Sequence, residues 1–145
     1  MKIIWVICIV FICVGCSHSA LSDYEIQVID ARINNAYQRG DMAATEALLR
    51  RKLKSQQGDF SAWLLLGQVL MRSHDYRAAQ YAYQKATELA PEHAGGWYQL
   101  ALSHLRLATE ALIAADARME QDTGIPLLHW LLELQTGQPV DDVAL

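Results

Sequence analysis

The sequence repeats itself every 34 residues. Trp63 recurs as Trp97, Leu66 as Leu100, and the small residue Gly67 as Ala101; another step takes Leu100 to Leu134, with Trp130 one residue short of register. A period of this length marks a supersecondary unit that cannot bury its apolar face alone and must stack on its neighbours. Composition decides what the unit is made of. Ala, Leu, Gln, Glu and Arg dominate beyond residue 34, while β-branched residues concentrate before it. The residues after 34 therefore favour helix, and strands are not expected.

Within the clearest unit each residue type has a physical use. Gly67 and Ala79 lack bulk, so two helices can approach closely, and Trp63, Leu66, Leu70, Tyr83 and Ala86 fill the space around them. Ser73-His74-Asp75 forms the turn, with Asp75 placed to cap the second helix. Pro91 stops that helix, because it has no amide hydrogen to donate. The set Trp63, Leu66, Gly67, Tyr76, Ala79, Tyr83, Ala86 and Pro91 resembles the tetratricopeptide repeat (TPR), in which W-x2-L-G opens helix A and small and aromatic residues line helix B.

The resemblance implies an all-α array of helical hairpins over residues 23–136. The clear repeat is 60–93. A degenerate repeat, 26–59, precedes it, with Ile29, Ile33, Ala36 and Tyr37 on a helix from about Asp23 to Gln38, a turn at Arg39-Gly40-Asp41, and a second helix from Met42 to Lys54. A loose repeat, 94–124, follows, with helix A reaching about Leu107 and helix B running from about Thr109 to Gln121. Thr123-Gly124-Ile125-Pro126 then breaks the chain. A capping helix at 126–136, amphipathic from Leu127 to Leu134, leads into an acidic tail, 137–145. The expectation is three hairpins and a cap, with terminal repeats degenerate because one side of each faces water.

The N-terminus is of another kind. Lys2 precedes an unbroken apolar run from Ile3 to Gly15, shorter than the roughly 20 residues that span a bilayer and shaped like the core of a secretory signal. Cys13-Val14-Gly15-Cys16 resembles the lipobox of bacterial lipoproteins, whose cysteine is acylated and becomes the new N-terminus. This implies a signal peptide at 1–15, a lipid-modified Cys16, a tether over 16–22, and a periplasm-facing domain held on a membrane by more than one acyl chain. Ser17, rather than Asp, follows the cysteine; in enteric-type sorting this implies the outer membrane, with the inner membrane as the alternative. Removing the signal takes Cys8 and Cys13 with it, so the domain contains no internal disulfide.

Charge and motif content narrow the function. The net charge is −4, without the basic footprint of a nucleic-acid-binding protein. Between Arg32 and Lys54 six basic residues face two acidic ones, whereas from Arg106 onward two face seven. These are solvated helix faces or a dipolar surface that orients a partner. His18, His74, His93, His104 and His129 are scattered without metal-ligand spacing. No Gly-rich phosphate loop, nucleophile elbow or C-x-x-C-H motif is present. The sequence offers no catalytic, cofactor or metal site, and the chain is read as non-enzymatic.

In the TPR family, ligands touch helix A residues that point away from helix B. Carried onto this sequence, those positions are Leu64, Gln68, Met71 and Arg72, then Tyr98, Leu102, Leu105 and Arg106. Helix A of the clear repeat is apolar nearly all round, more than one buried face requires. Trp63, Leu66 and Leu70 go to the core, which leaves Leu64 and Met71 as a second stripe. Either the chain's own terminal helix or tether covers it, or it is a groove for an amphipathic helix or extended peptide, with Arg72 and Arg106 available to a carboxylate.

The stretch from Ala43 through Leu107 also resembles the periplasmic TPR subunits of bacterial cytochrome c maturation, the haem-ligation machinery. It shares their basic leading helix pair, their aromatic-rich repeat with Asp75-Tyr76 at the turn, and their loose following repeat. That likeness implies the C-terminal helix of an apocytochrome c as partner. The alternatives are an outer-membrane TPR lipoprotein assisting assembly of a pilus or secretion channel, and an adaptor of a cell-wall hydrolase.

Overall fold

The structure, a computed structural model, describes residues 23–118 and 126–137. The signal peptide, Cys16, the tether, the Thr123-Gly124-Ile125 break and the tail beyond residue 137 lie outside the described residues. The elements are α1 (Asp23–Gln38), α2 (Met42–Ser55), α3 (Phe60–Arg72), α4 (Tyr76–Leu89), α5 (Ala94–Asp116) and α6 (Pro126–Thr136). Each helix packs on the next through α5, and α6 packs on α5. Among the described residues no helix is long and apolar enough to cross a membrane.

The 34-residue period is visible in the joints. In the first hairpin Gly40 takes a left-handed backbone at φ 75°, and the Asp41 carboxylate accepts from the Ala44 amide at 2.9 Å. One period on, His74 is left-handed at φ 61°, and Asp75 accepts from the Ala78 amide at 3.1 Å. The joints between hairpins repeat as well. Asp59 caps α3 through the Ala62 amide at 2.9 Å, and His93 caps α5 through the Gly96 amide at 3.3 Å. The indole N–H of Trp63 donates to the Gln57 carbonyl at 2.8 Å, and that of Trp97 donates to the Pro91 carbonyl at 2.9 Å. Each such cap satisfies amides that would otherwise be orphaned at a helix start.

The expected third hairpin does not form. Helix A was expected to end near Leu107 and helix B to begin at Thr109, but α5 runs unbroken from Ala94 to Asp116. The joint series explains why. Where the first two hairpins have Gly40 and His74, the third has Ala108, which strongly disfavours a left-handed backbone. Where they have Asp41 and Asp75, it has Thr109, whose hydroxyl donates back to the Leu105 carbonyl at 2.9 Å instead of capping a new helix. The intervening residues are good helix formers, so nothing interrupts the ladder. The array is therefore two hairpins, one long helix and α6. Gln135 donates its side-chain amide to the Thr109 hydroxyl at 2.6 Å, so α6 folds back along the C-terminal half of α5 with Leu128 and Leu131 buried.

The core spans both hairpins: Ile29, Ile33, Leu49, Leu53, Leu66, Val69, Leu70 and Tyr83 are all buried. Lys52 ties them together, its ammonium 2.6 Å from Asp30 and 2.7 Å from Asp59. Burial alone would lift the Asp59 pKa, but the Lys52 hydrogen bond, the cap amide and the Lys52 charge outweigh it and leave it lowered. The cap of α3 is thus also the anchor of α2.

Tyr83 carries an unusual cost. Its side chain is fully buried, and its hydroxyl has no hydrogen-bond partner among the described residues. Burial, with a smaller contribution from Tyr37, pushes its pKa up to about 12. Deleting a buried, unpaired hydroxyl removes a desolvation penalty without breaking a bond. Tyr83→Phe is accordingly expected to be neutral or to stabilise the fold by about 1 kcal/mol. A urea titration reads this directly; a loss of more than about 1 kcal/mol would mean the hydroxyl is bonded.

Candidate functional site

The eight ligand positions expected from the sequence lie on α3 and α5 and differ in how open they are. Leu64 and Met71 are half-buried and pack against the core together with Tyr37, Met42 and Leu48. Arg72 is exposed and stands over the Tyr37 ring, 5.1 Å from its centre. Gln68, Leu102, Leu105 and Arg106 are half-buried, while Tyr98 is 64% exposed. The apolar stripe on α3 is thus half-buried against the core rather than open along its length. What remains accessible is a rim of Arg72 at one end and Tyr98 at the other.

A second feature lies on the opposite side of α3. A groove of about 700 Å³ opens over α3 between α2 and α4. Leu53, Leu66 and Leu70 form its floor, and Trp63 and Tyr81 form a wall, their rings edge to face with centres 6.0 Å apart. Arg50, Lys54 and Lys85 stand around it. Arg50 is paired with Glu46 at 2.8 Å; Lys85 is paired with Glu88 at 2.6 Å and lies over the Tyr81 ring. The sequence reading sent Trp63, Leu66 and Leu70 wholly to the core and missed this opening. The signal for it was Tyr81, a large aromatic outside the buried face of α4, beside a basic segment.

The groove recurs one period later in reduced form. Gln84, Thr87, Glu88, Trp97, Leu100 and His104 line a hollow of about 400 Å³, and they are the 34-residue counterparts of Arg50, Leu53, Lys54, Trp63, Leu66 and Leu70. Two things have changed. The rim is no longer basic, and because α5 does not turn back, no counterpart of α4 closes the far side. Trp97 is consequently 51% exposed.

Chemically, these surfaces offer apolar floors, aromatic edges and a few charges. Among the described residues no three His, Cys, Asp or Glu side chains gather as a metal site requires. Such surfaces recognise polypeptide segments.

Residues 60–93 match the family model of the tetratricopeptide repeat. No curated protein matches the chain. The matched unit coincides with the α3–α4 hairpin, and with helices on both sides and no strand among the described residues, the fold is an all-α helical array of the tetratricopeptide type, a protein-binding scaffold.

Proposed function

We propose that this scaffold works in the bacterial cell envelope, anchored through acylated Cys16, and holds an amphipathic helix or extended peptide on the helix A side of the array. It performs no catalysis of its own. The contacts are the positions on α3 and α5 named above, led by Tyr98 and completed by Leu102, Leu105 and Arg106, with Leu64, Gln68, Met71 and Arg72 forming the adjoining surface. The observation that carries this reading is Tyr98, 64% exposed at the start of a helix that follows a well-packed repeat. A large aromatic ring left open beside half-buried leucines has the character of a binding hot spot. The arginines at positions 72 and 106 suit a ligand with a carboxylate.

The leading ligand is the C-terminal helix of an apocytochrome c, from the likeness of residues 43–107 to the periplasmic subunits of cytochrome c maturation. The Cys16-Ser17 pair favours a second setting, an outer-membrane lipoprotein assisting a pilus or secretion channel, while an adaptor of a cell-wall hydrolase would use the same surface. Calorimetric titration of the protein with apocytochrome C-terminal peptides tests the first. Tyr98→Glu is expected to weaken binding by about thirtyfold, the factor that about 2 kcal/mol corresponds to, without loss of helicity. Leu64→Glu is the poorer probe, because Leu64 supports the core. Equal binding by the Tyr98 variant would remove the proposed surface, and no binding by either form would remove the apocytochrome.

A further inference from the structure

One face of α5 is exposed where the same face of α3 is covered. On α3, Gly67 lies under the Tyr83 ring of α4, and Leu70 is 2% exposed on the groove floor between α2 and α4. Their counterparts on α5, Ala101 and His104, are exposed, and so is Trp97; α4 reaches this line only at its edge, where the Gln80 side-chain amide stands 3.4 Å from the His104 ring. The exposed line continues down the helix: Trp97, Ala101, His104, Ala108, Ala111 and Ala115 alternate steps of four and three residues, and all six are exposed. A sustained 3.5-residue period of uncharged side chains is the mark of a seam between two helices rather than of a solvated face. In this fold the preceding repeat shows that a helix is what belongs there.

We propose that the occupant is α5 of a second copy, lying antiparallel across a two-fold axis. The seam is complementary to itself in that orientation. Setting His104 opposite the second copy's Ala108 places Trp97 opposite Ala115 and Ala101 opposite Ala111, so each bulky side chain meets an alanine. This is the requirement of an isologous interface, in which the same patch serves both partners. The antiparallel sense also sets the partly negative C-terminal end of one helix beside the partly positive N-terminal end of the other. No Asp, Glu, Lys or Arg lies on the seam to oppose it.

Size supports a dimer, but only with help from α6. A 23-residue helix is about 35 Å long and an 11-residue helix about 16 Å. Contact along a band about 10 Å wide, from α5 and α6 of both copies, buries on the order of 1,000 Å² in total, about where specific interfaces begin. α6 is built for this. Leu127, Trp130 and Leu134, spaced by three and four residues, are 53%, 57% and 57% exposed, although Leu128 and Leu131 already hold the helix on α5. With α6 along the C-terminal half of α5, the proposed pair sets this stripe against the second copy near its Trp97.

Cysteine cross-linking of the purified full chain in detergent tests the pairing, in a background with Cys8, Cys13 and Cys16 replaced by serine. Mixing a His104→Cys chain with an Ala108→Cys chain under mild oxidation is expected to give a covalent dimer. An Ile113→Cys chain, whose side chain is 44% exposed but off the seam, should give none. Adding Ala101→Arg to both seam variants should abolish the dimer, with circular dichroism unchanged because Ala101 is exposed. Absence of the mixed dimer, or equal cross-linking through Ile113→Cys, would overturn the proposal. With only this chain present, a seam reserved for some other protein's helix gives the first of those negative results.

Discussion

Gly67→Ala is expected to lower the thermal midpoint of unfolding by about 10 °C, although alanine is the better helix former. In isolation the substitution should gain about 1 kcal/mol, because glycine at a helix interior surrenders more backbone entropy than any other residue. Packing reverses the sign. A Cβ built on Gly67 would sit 2.4, 2.6 and 2.8 Å from three carbons of the Tyr83 ring. That ring has nowhere to go, since Tyr83 is fully buried. Overpacking of this kind costs about 3 kcal/mol, which leaves a net loss of about 2 kcal/mol. For a domain of this size that corresponds to the stated shift in midpoint. Scanning calorimetry measures it, and Tyr83→Leu in the same chain should restore part of the loss, since the two positions share one contact. A Gly67→Ala protein as stable as the parent would mean that α3 and α4 do not approach as described.

Gly67 also shows what kind of information the sequence held. Its role was legible because a repeat places the same demand at every unit: a small residue wherever helix B crosses helix A. The Asp75 cap was legible in the same way, and Asp41, read only as part of a turn, does the same work one period earlier. The break expected after Leu107 was an extrapolation of that period to a unit whose joint residues no longer carry it. Ala108 and Thr109 stand at the right positions but lack the left-handed tolerance and the capping carboxylate that make a turn. Period predicts where a turn would fall; chemistry decides whether it occurs.

The candidate surface was legible only in part, and for a different reason. Periodicity identifies which residues of α3 share a face, and it set Leu64 and Met71 apart from Trp63, Leu66 and Leu70. It cannot say how far the neighbouring hairpin reaches over them. Leu64 and Met71 are half-buried against a core shared by the two hairpins, and Lys52 ties those hairpins together through Asp30 and Asp59, residues 22 and 7 positions away in the chain. The groove above α3 was missed on the same grounds. Whether Trp63 is wholly buried depends on the separation of α2 from α4, which no local pattern in the sequence fixes.

Glu110→Pro separates the two readings of α5 with opposite signs. If the chain turned between Leu107 and Thr109, residue 110 would be the first of a new helix, where proline is tolerated or stabilises by up to about 1 kcal/mol through a stiffer unfolded chain. In an unbroken helix it removes the amide that bonds to the Arg106 carbonyl and drives its ring against that carbonyl, at a cost of about 3 kcal/mol or more. Glu110 is exposed, so no clash with another element contributes. The damage should be directional. The half of α5 before residue 108 is held by α4, whereas the half after it carries α6 through Thr109 and Gln135. Hydrogen exchange is therefore expected to accelerate across Pro126–Thr136 and the last turns of α5, while α3 and α4 keep their protection. Unchanged protection of α6 together with an unchanged melting point would restore the third hairpin, and with it would remove the continuous seam on which pairing of two copies depends.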